Sequence, residues 1–424
     1  MERDYREFYW KRLDNAAKGF SAISNANNTN VYRISVLLRL PVEPDALQEA
    51  VERTLRDLPS FAVKQRKGMF WYYLESNFAR PPVTQEKTYP CLRIERGAGR
   101  GFLFRVTYFG CKINLEVFHS LTDGTGAIVF LERLLYNYLS LRFPERTFTE
   151  CGFFDQDDHP LEYEEDSFLK NYSTAQRKES HTAAPACRVT GVALEKKVTR
   201  VVTGIFSVRE VRAAAKAAGA TVTQFLSAAL IQAIHRGGGA RTDRRRPIVI
   251  CIPVNLRTFY DSHTLSNFFS YLNIGVLFER DYSFEEILEK VRREFDEELR
   301  REKIEQKLRY NVEAERNLAL RFLPLGVKSL GLRIIHRRGE RGQSCALSNL
   351  GVVRLPEDIA EFVERFDVLM STSRIKPVKV GAVSFGDRLT VSFTSAVYDT
   401  AVEQYFFSFL SSHGLEVEIV HNEV

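Results

Sequence analysis

His119 and Asp123, in Phe118-His119-Ser120-Leu121-Thr122-Asp123-Gly124, are the residues of this chain best spaced to do chemistry. An imidazole titrates near neutral pH and serves as a general base, and a carboxylate four residues on can orient it or stiffen its loop. The flanking residues predict how the pair is held. Ile113, Leu115 and Val117 alternate with Asn114, Glu116 and Phe118, which predicts a strand with one face buried. Ile128, Leu131, Leu134, Leu135, Tyr138 and Leu139 recur at helical spacing, so a helix follows, capped by Asp123 and entered through Gly124 and Gly126. The spacing alone also fits an ordinary strand-end histidine and an ordinary helix cap.

Two later stretches carry the same kinds of group. Pro253-Val254-Asn255-Leu256-Arg257 closes the apolar run Ile248 to Ile252, which reads as a buried central strand ended by the proline, and Asn267 follows shortly after. Ser348-Asn349-Leu350-Gly351 offers a hydroxyl and an amide suited to an oxyanion, or simply a bend in a strand.

Taken together, His119-Ser-Leu-Thr-Asp123-Gly124 between strand and helix, Asn255-Leu-Arg257 and Ser348-Asn349-Leu-Gly resemble the HxxxDG and companion motifs of the chloramphenicol acetyltransferase-like, CoA-dependent acyltransferases. Pro59-Ser-Phe61 and Gly68-Met-Phe-Trp71 are similar to the opening of the bacterial alcohol acetyltransferase-like members. The resemblance implies an α/β fold of two such domains, each a mixed sheet with packed helices, with the active site at their interface. It implies His119 as general base, and Asp123 and Gly124 as structural supports. Arg257 would pair bidentately with Asp123, and Ser348 and Asn349 would contact oxyanion or substrate. The activity implied is acyl transfer from a thioester, acyl-CoA as co-substrate, to a hydroxyl or amine. Two other readings remain open: a condensation-type synthase fed by an acyl carrier protein, and a non-catalytic binding protein of the same fold. Phe118 stands where peptide-synthetase condensation domains usually carry a first histidine, and the plant DFGWG element is absent. Ser371-Thr372-Ser373 resembles the STS element of carnitine acyltransferases but reads as strand surface.

Composition fits this picture. The 424 residues are 44% hydrophobic and 27% charged, enough for two domains: about 1–150, a linker or crossover about 151–195, and 196–424. Six scattered cysteines form no CxxC or His/Cys cluster, so neither a metal nor a bound cofactor is expected, and a reducing cytoplasm suits them. A net charge of +6 with no nucleic-acid module, and no apolar run long enough to span a bilayer, leave small molecules as the expected partners of a monomer. An esterase is disfavoured because no GxSxG elbow is present. Arg316, Arg321, Lys328, Arg333, Arg337, Arg338 and Arg341 gather before Ser348. They read either as a solubilising, loop-rich surface or as a mouth where Arg337 and Arg338 hold the donor's phosphates, which would equally suit an acidic carrier protein.

Among the remaining elements, the sequence predicts a helix around Tyr9 and Trp10, a helix opened by Pro44, and a hairpin about Lys67-Gly68. Capped helices follow Ser207 and Ser283, the second running unbroken to about Arg309. Strands are centred on Ala346, Val368, Val383 and Val391, and a last helix spans about Thr400 to Ser411.

Overall fold

A computed structural model describes residues 10–95, 100–150, 165–172, 184–237, 245–316 and 322–422. The first half runs β1 (Trp10–Arg12), α1 (Asn15–Ile23), β2 (Val31–Leu38), α2 (Pro44–Asp57), β3 (Val63–Lys67), β4 (Tyr72–Ser76), β5 (Val83–Gln85), β6 (Phe104–Phe109), β7 (Lys112–Phe118) and α3 (Gly124–Arg142). After α4 (Ser167–Lys170) come β8 (Arg200–Ser207), α5 (Val208–Ala217), α6 (Val222–Arg236), β9 (Ile248–Asn255), β10 (Phe269–Val276), α7 (Phe284–Glu298), α8 (Arg301–Arg316) and α9 (Leu325–Arg341). The chain closes with β11 (Cys345–Val353), α10 (Glu357–Ala360), β12 (Val363–Met370), β13 (Val378–Phe385), β14 (Arg388–Ser395), α11 (Ala401–Ser412) and β15 (Glu418–His421).

Two mixed sheets organise these elements. The first has the order β12-β2-β7-β6-β5 and the second β10-β9-β11-β13-β14-β8-β15, while β1, β4 and β3 form a small third sheet. Ile34, Val36, Ile113, Leu115 and Val117 pack under α2 and α3, burying Leu47, Val51, Phe130, Leu131 and Leu134. The second core lies between Ile250, Ile252, Leu272, Ile274, Val380 and Val391 of its sheet and helices α6, α7 and α11.

The lobes are not cut cleanly along the sequence. β12, from the second half, pairs antiparallel with β2 along its length and becomes an edge of the first sheet. Gly381 of β13 passes so close to β12 that a Cβ there would stand 2.3 Å from the Val368 carbonyl oxygen, so the strand crossing requires glycine.

Several expectations are corrected. Trp10 lies in a strand paired with β4, not a helix, because the helix start is set downstream by Asp14, whose side chain accepts the Ala17 amide. Both faces of β7 are buried: Glu116 and Asn114 are fully enclosed on the side away from the helices. There Arg33 donates to Glu116 at 2.9 Å and Ser35 to Asn114 at 2.7 Å, so the strand keeps its polar residues by pairing them. β9 continues through Pro253 opposite Tyr271 of β10, because β11 pairs with it only at Ile250 and Cys251 and so makes no demand on an N–H at the proline. The helix after Ser283 breaks at Leu299, which lets Ile304 and Leu308 of α8 turn into a separate cluster with Phe168, Leu256 and Phe268. Residues 325–341, expected as loop-rich, form a helix. Ser371-Thr372-Ser373 follows β12 as a loop, with Ser371 and Ser373 buried. Of the basic cluster, Arg321 lies outside the described residues.

Candidate active site between the lobes

β7 ends at Phe118 and α3 begins at Gly124, and the turn between them presents His119 and Asp123 to the second lobe. The two oxygens of Asp123 divide their work. Oδ1 accepts the amides of Thr125 and Gly126 at 3.1 and 3.3 Å, capping α3. Oδ2 accepts Arg257 Nη1 and the Phe268 amide, each at 2.9 Å. The Asp123–Arg257 pair therefore forms across the lobes, through one contact rather than the expected bidentate fork, because the other oxygen is committed to the helix.

The rest of the guanidinium is fully employed. Nε and Nη2 donate to the Thr264 carbonyl at 3.0 and 2.7 Å, and Nη2 also to Ser266 at 2.7 Å. Arg257 thus folds the 264–266 loop around itself and docks it on Asp123. The same seam is drawn tight at Gly126, where a Cβ would meet the Thr122 hydroxyl at 2.1 Å and the Leu265 carbonyl at 2.7 Å. At Gly124 the obstacle is only the end of the Leu350 side chain.

Docking that loop delivers Asn267 to His119. Asn267 Oδ1 lies 3.0 Å from His119 Nδ1, and Asn267 Nδ2 donates to Asp14 Oδ2 at 3.0 Å. Asp14 Oδ2 also accepts the Asn267 amide at 3.2 Å, and its Oδ1 caps α1. An oxygen receiving two N–H groups fixes the Asn267 amide with its NH₂ toward Asp14 and its oxygen toward the imidazole. His119 Nδ1 must then carry the hydrogen, leaving Nε2 as the basic nitrogen.

Aromatic rings hold the imidazole plane. Phe20 of α1 stacks on it at 4.3 Å and 17°, with Tyr32 at 4.8 Å and Phe269 at 5.4 Å. The Tyr32 hydroxyl donates to the Asp123 carbonyl at 2.8 Å, tying strand β2 to the turn. Burial among these rings pushes the imidazole below its usual range, opposed by the Asn267 hydrogen bond and by the charge of Asp123.

Tyr271 and Lys379 of the second sheet keep accessible side chains although protein surrounds both closely enough to shift them by burial, and the Lys379 charge acts on His119, which implies a recess beside this centre floored by that sheet. Ala346 pairs with Cys251, and one residue before the Leu347–Val380 pair Lys379 joins the row, itself paired with Thr394. Tyr271 is 41% exposed, yet burial pushes its phenol well above the usual range, as expected for a side chain facing an internal opening. Lys376 donates to Gln343 at 2.7 Å and lies 3.7 Å from Glu340, which accepts the Ser373 hydroxyl at 3.0 Å. His336 reaches in from α9, 3.3 Å from Asn28 and 3.6 Å from Glu340. Burial and the neighbouring Lys376 lower the Lys379 amine to about 8. Two lysines here face one carboxylate.

The other expected site residues take different places. Asn349 donates to Thr223 at 3.0 Å and accepts the Gly351 amide at 2.9 Å, holding a strand irregularity in which Gly351 has φ +77°. That employs the amide structurally, the bend in a strand that the sequence also allowed. Ser348 lies half-buried in register with Gly381. Arg337 and Arg338 are exposed on α9, while His336 and Glu340 of the same helix turn inward, so a phosphate held by those arginines would sit outside the recess. Asp14 and Phe20 carried no motif, and Asn267 stood out only as following Arg257, with no role; Asp14 ahead of Ala16 and Ala17 was available as a helix cap. Among the described residues no cluster of side chains suits a metal ion, and no single helix is long and apolar enough to cross a membrane.

Residues 207–394 match the family described as phthiocerol/phthiodiolone dimycocerosyl transferase C-terminus. The described fold is similar to polyketide synthase associated protein 5 of Mycobacterium tuberculosis, with a TM-score of 0.58 and 13% identity over 94% of this chain and 97% of that one. The chain has the CoA-dependent acyltransferase and condensation-domain fold. The trichothecene 15-O-acetyltransferase of Fusarium sporotrichioides gives a TM-score of 0.57 at 14% identity, covering 95% of this chain and 94% of that one. A mutant starter condensation domain of rhizomide synthetase, solved in complex with C8-CoA, gives 0.59 at 13%, again over 95% and 94%. No curated protein matches this chain in sequence. At these identities the likeness to solved structures carries the two-lobed fold alone.

Two outcomes follow for this seam. Asp123→Asn and Arg257→Met are each expected to cost roughly 3–5 kcal/mol, since removing one partner strands a buried charge, and the double variant less than their sum. Chemical denaturation of the four proteins checks this, and additive losses would dissolve the pair. Asn267→Leu is expected to lower kcat roughly 10- to 100-fold by freeing the imidazole. Because the lost hydrogen bond supports the imidazolium, the acid limb of the kcat/KM profile should also move to lower pH. A fall in rate with an unmoved limb would reduce Asn267 to scaffold.

Proposed function

We propose that this protein transfers an acyl group from a thioester to a hydroxyl or amine, both substrates bound together, with His119 as general base. The observation that carries the reading is the imidazole itself, fixed by Asn267 and Asp14 so that Nε2 keeps its lone pair, and kept neutral by burial. An acceptor O–H or N–H placed against Nε2 gives up its proton as its heteroatom bonds to the thioester carbonyl carbon. The oxyanion formed is met by the Ser348 hydroxyl or by backbone N–H groups. When the carbon–sulfur bond breaks, the thiolate takes the proton back from Nε2, and the imidazole returns neutral. No acyl-enzyme intermediate is needed, and Asp123 does not exchange a proton.

Acyl-CoA is the proposed donor, as a co-substrate rather than a resident cofactor. Because Lys376 and Lys379 share only the carboxylate of Glu340, the recess is a better seat for an anionic group of the substrate than the outward Arg337 and Arg338. The condensation-domain likeness favours a second reading, in which the thioester arrives on a carrier protein. Comparing acyl-CoA, acyl-carrier protein and a short acyl-cysteamine thioester as donors, against a panel of alcohols and amines, separates the two.

His119→Ala should lower turnover roughly 10²–10⁴-fold without loss of thermal stability. Wild-type turnover in that variant would end its role as base. In the intact protein the rate should fall only below the ordinary histidine range, since a lowered pKa keeps the base unprotonated through neutral pH. Lys379→Met should raise the KM for acyl-CoA about tenfold and leave that for the acyl-cysteamine thioester, which has no phosphate, unchanged. An equal rise for both donors would make Lys379 a shape determinant instead.

A further inference from the structure

Helix α9 is inside out. Apart from Leu325 at its start, its inward positions are polar: Lys328 lies 3.6 Å above the Trp71 ring and donates to the Phe70 carbonyl, His336 meets Asn28, and Glu340 bonds Ser373. Its outward positions are aliphatic, with Val327, Leu330, Ile334 and Ile335 exposed at 54, 60, 47 and 59%. A surface helix normally arranges these the other way round. Three of the four, Val327, Leu330 and Ile334, follow the three- and four-residue spacing of one stripe, and Arg338 and Arg341 continue that stripe through the last turn. The apolar surface extends past the start of the helix, where the Leu325 amide is held by the carbonyl of exposed Met69, at the tip of the β3–β4 hairpin.

We propose that this face docks on an anionic lipid bilayer, with the aliphatic stripe entering the interface and Arg337, Arg338 and Arg341 on the headgroups. Exposed aliphatic side chains beside a basic cluster are the pattern of helices that lie in the plane of a membrane. Charge decides against a second copy of this chain as the occupant. The only acid in α9, Glu340, points inward, so self-pairing would bury arginines with no acidic partner on the facing helix. The overall charge of +6 favours the same anionic surface. The inner side of this helix borders the recess through His336 and Glu340, so a membrane-bound protein would hold the recess close to the lipid.

The test is flotation of the full chain with phosphatidylcholine vesicles and with vesicles that also contain phosphatidylglycerol. Binding is expected on the anionic vesicles only, weakening as salt is raised. Leu330→Ser with Ile334→Ser should weaken it at least about tenfold, and Arg337→Glu with Arg338→Glu comparably. The serine changes are on exposed side chains, so thermal stability and transfer from a soluble thioester should be unchanged, which separates loss of docking from loss of fold or of catalysis. No binding by the wild type, equal binding to neutral vesicles, or full binding by the serine variant would overturn the proposal. So would a wild-type dimer in sedimentation that the serine variant loses, which would assign the face to a second copy, or saturable binding of an acidic carrier protein in place of vesicles, which would assign it to that partner.

Discussion

Every distance that matters in the site traces back to the carboxylate of Asp123. One oxygen closes the first turn of α3, and the other holds Arg257 and the Phe268 amide from the opposite lobe. A carboxylate this enclosed is tolerable only because its acceptor positions are filled by N–H donors, one of them charged. Because the arginine it holds is itself wrapped by the Thr264 and Ser266 carbonyls, lobe closure, loop folding and the position of Asn267 form one unit. The imidazole of His119 is thereby oriented by a residue at a sequence separation of 148.

What the sequence made legible were the features carried by local chemistry. Strand β7, the Asp123 cap and the Ser283 capping box are decided by residues within a few positions, and all appear as expected. The cross-lobe arginine was legible only through resemblance, because nothing local to Arg257 names its partner. Asn267 was visible only as an asparagine shortly after Arg257 with no role attached, and Phe20 was not legible at all: an asparagine in a loop and a phenylalanine in a short helix become site residues only after the two lobes meet. The same limit explains Asn349, whose amide serves equally well for an oxyanion or a strand bend until its neighbours Thr223 and Gly351 are placed.

The interior between the lobes also explains why alternation misled on β7 and why α9 carries its pattern reversed. Alternation on β7 predicts water beyond its polar face, but that face is covered and its charges are matched, Arg33 against Glu86 and Glu116. On α9 the polar residues turn toward an internal recess, and the aliphatic ones turn outward. Hydrophobic pattern reports which side of an element differs from the other. It reports inside and outside only when the inside is apolar.

The identity of the group facing Nδ1 sets how the imidazole would serve as the proposed base. A carboxylate there would hold a proton on the imidazole more strongly and raise its pKa, which suits a site that must stabilise an imidazolium for long. Asn267 supplies the same directional hydrogen bond without the charge, while Phe20, Tyr32 and Phe269 exclude water from the ring. The balance leaves the imidazole neutral at rest, with the imidazolium supported first by the Asn267 hydrogen bond and then by the charge of the more distant Asp123. In the proposed reaction such a base would take a proton only as an acceptor heteroatom bonds to a carbonyl carbon, and would hand it on to the leaving thiolate when the carbon–sulfur bond yields. The negative charge that could have served as the partner of the histidine is spent instead on Arg257, where it holds together the two lobes that form the site.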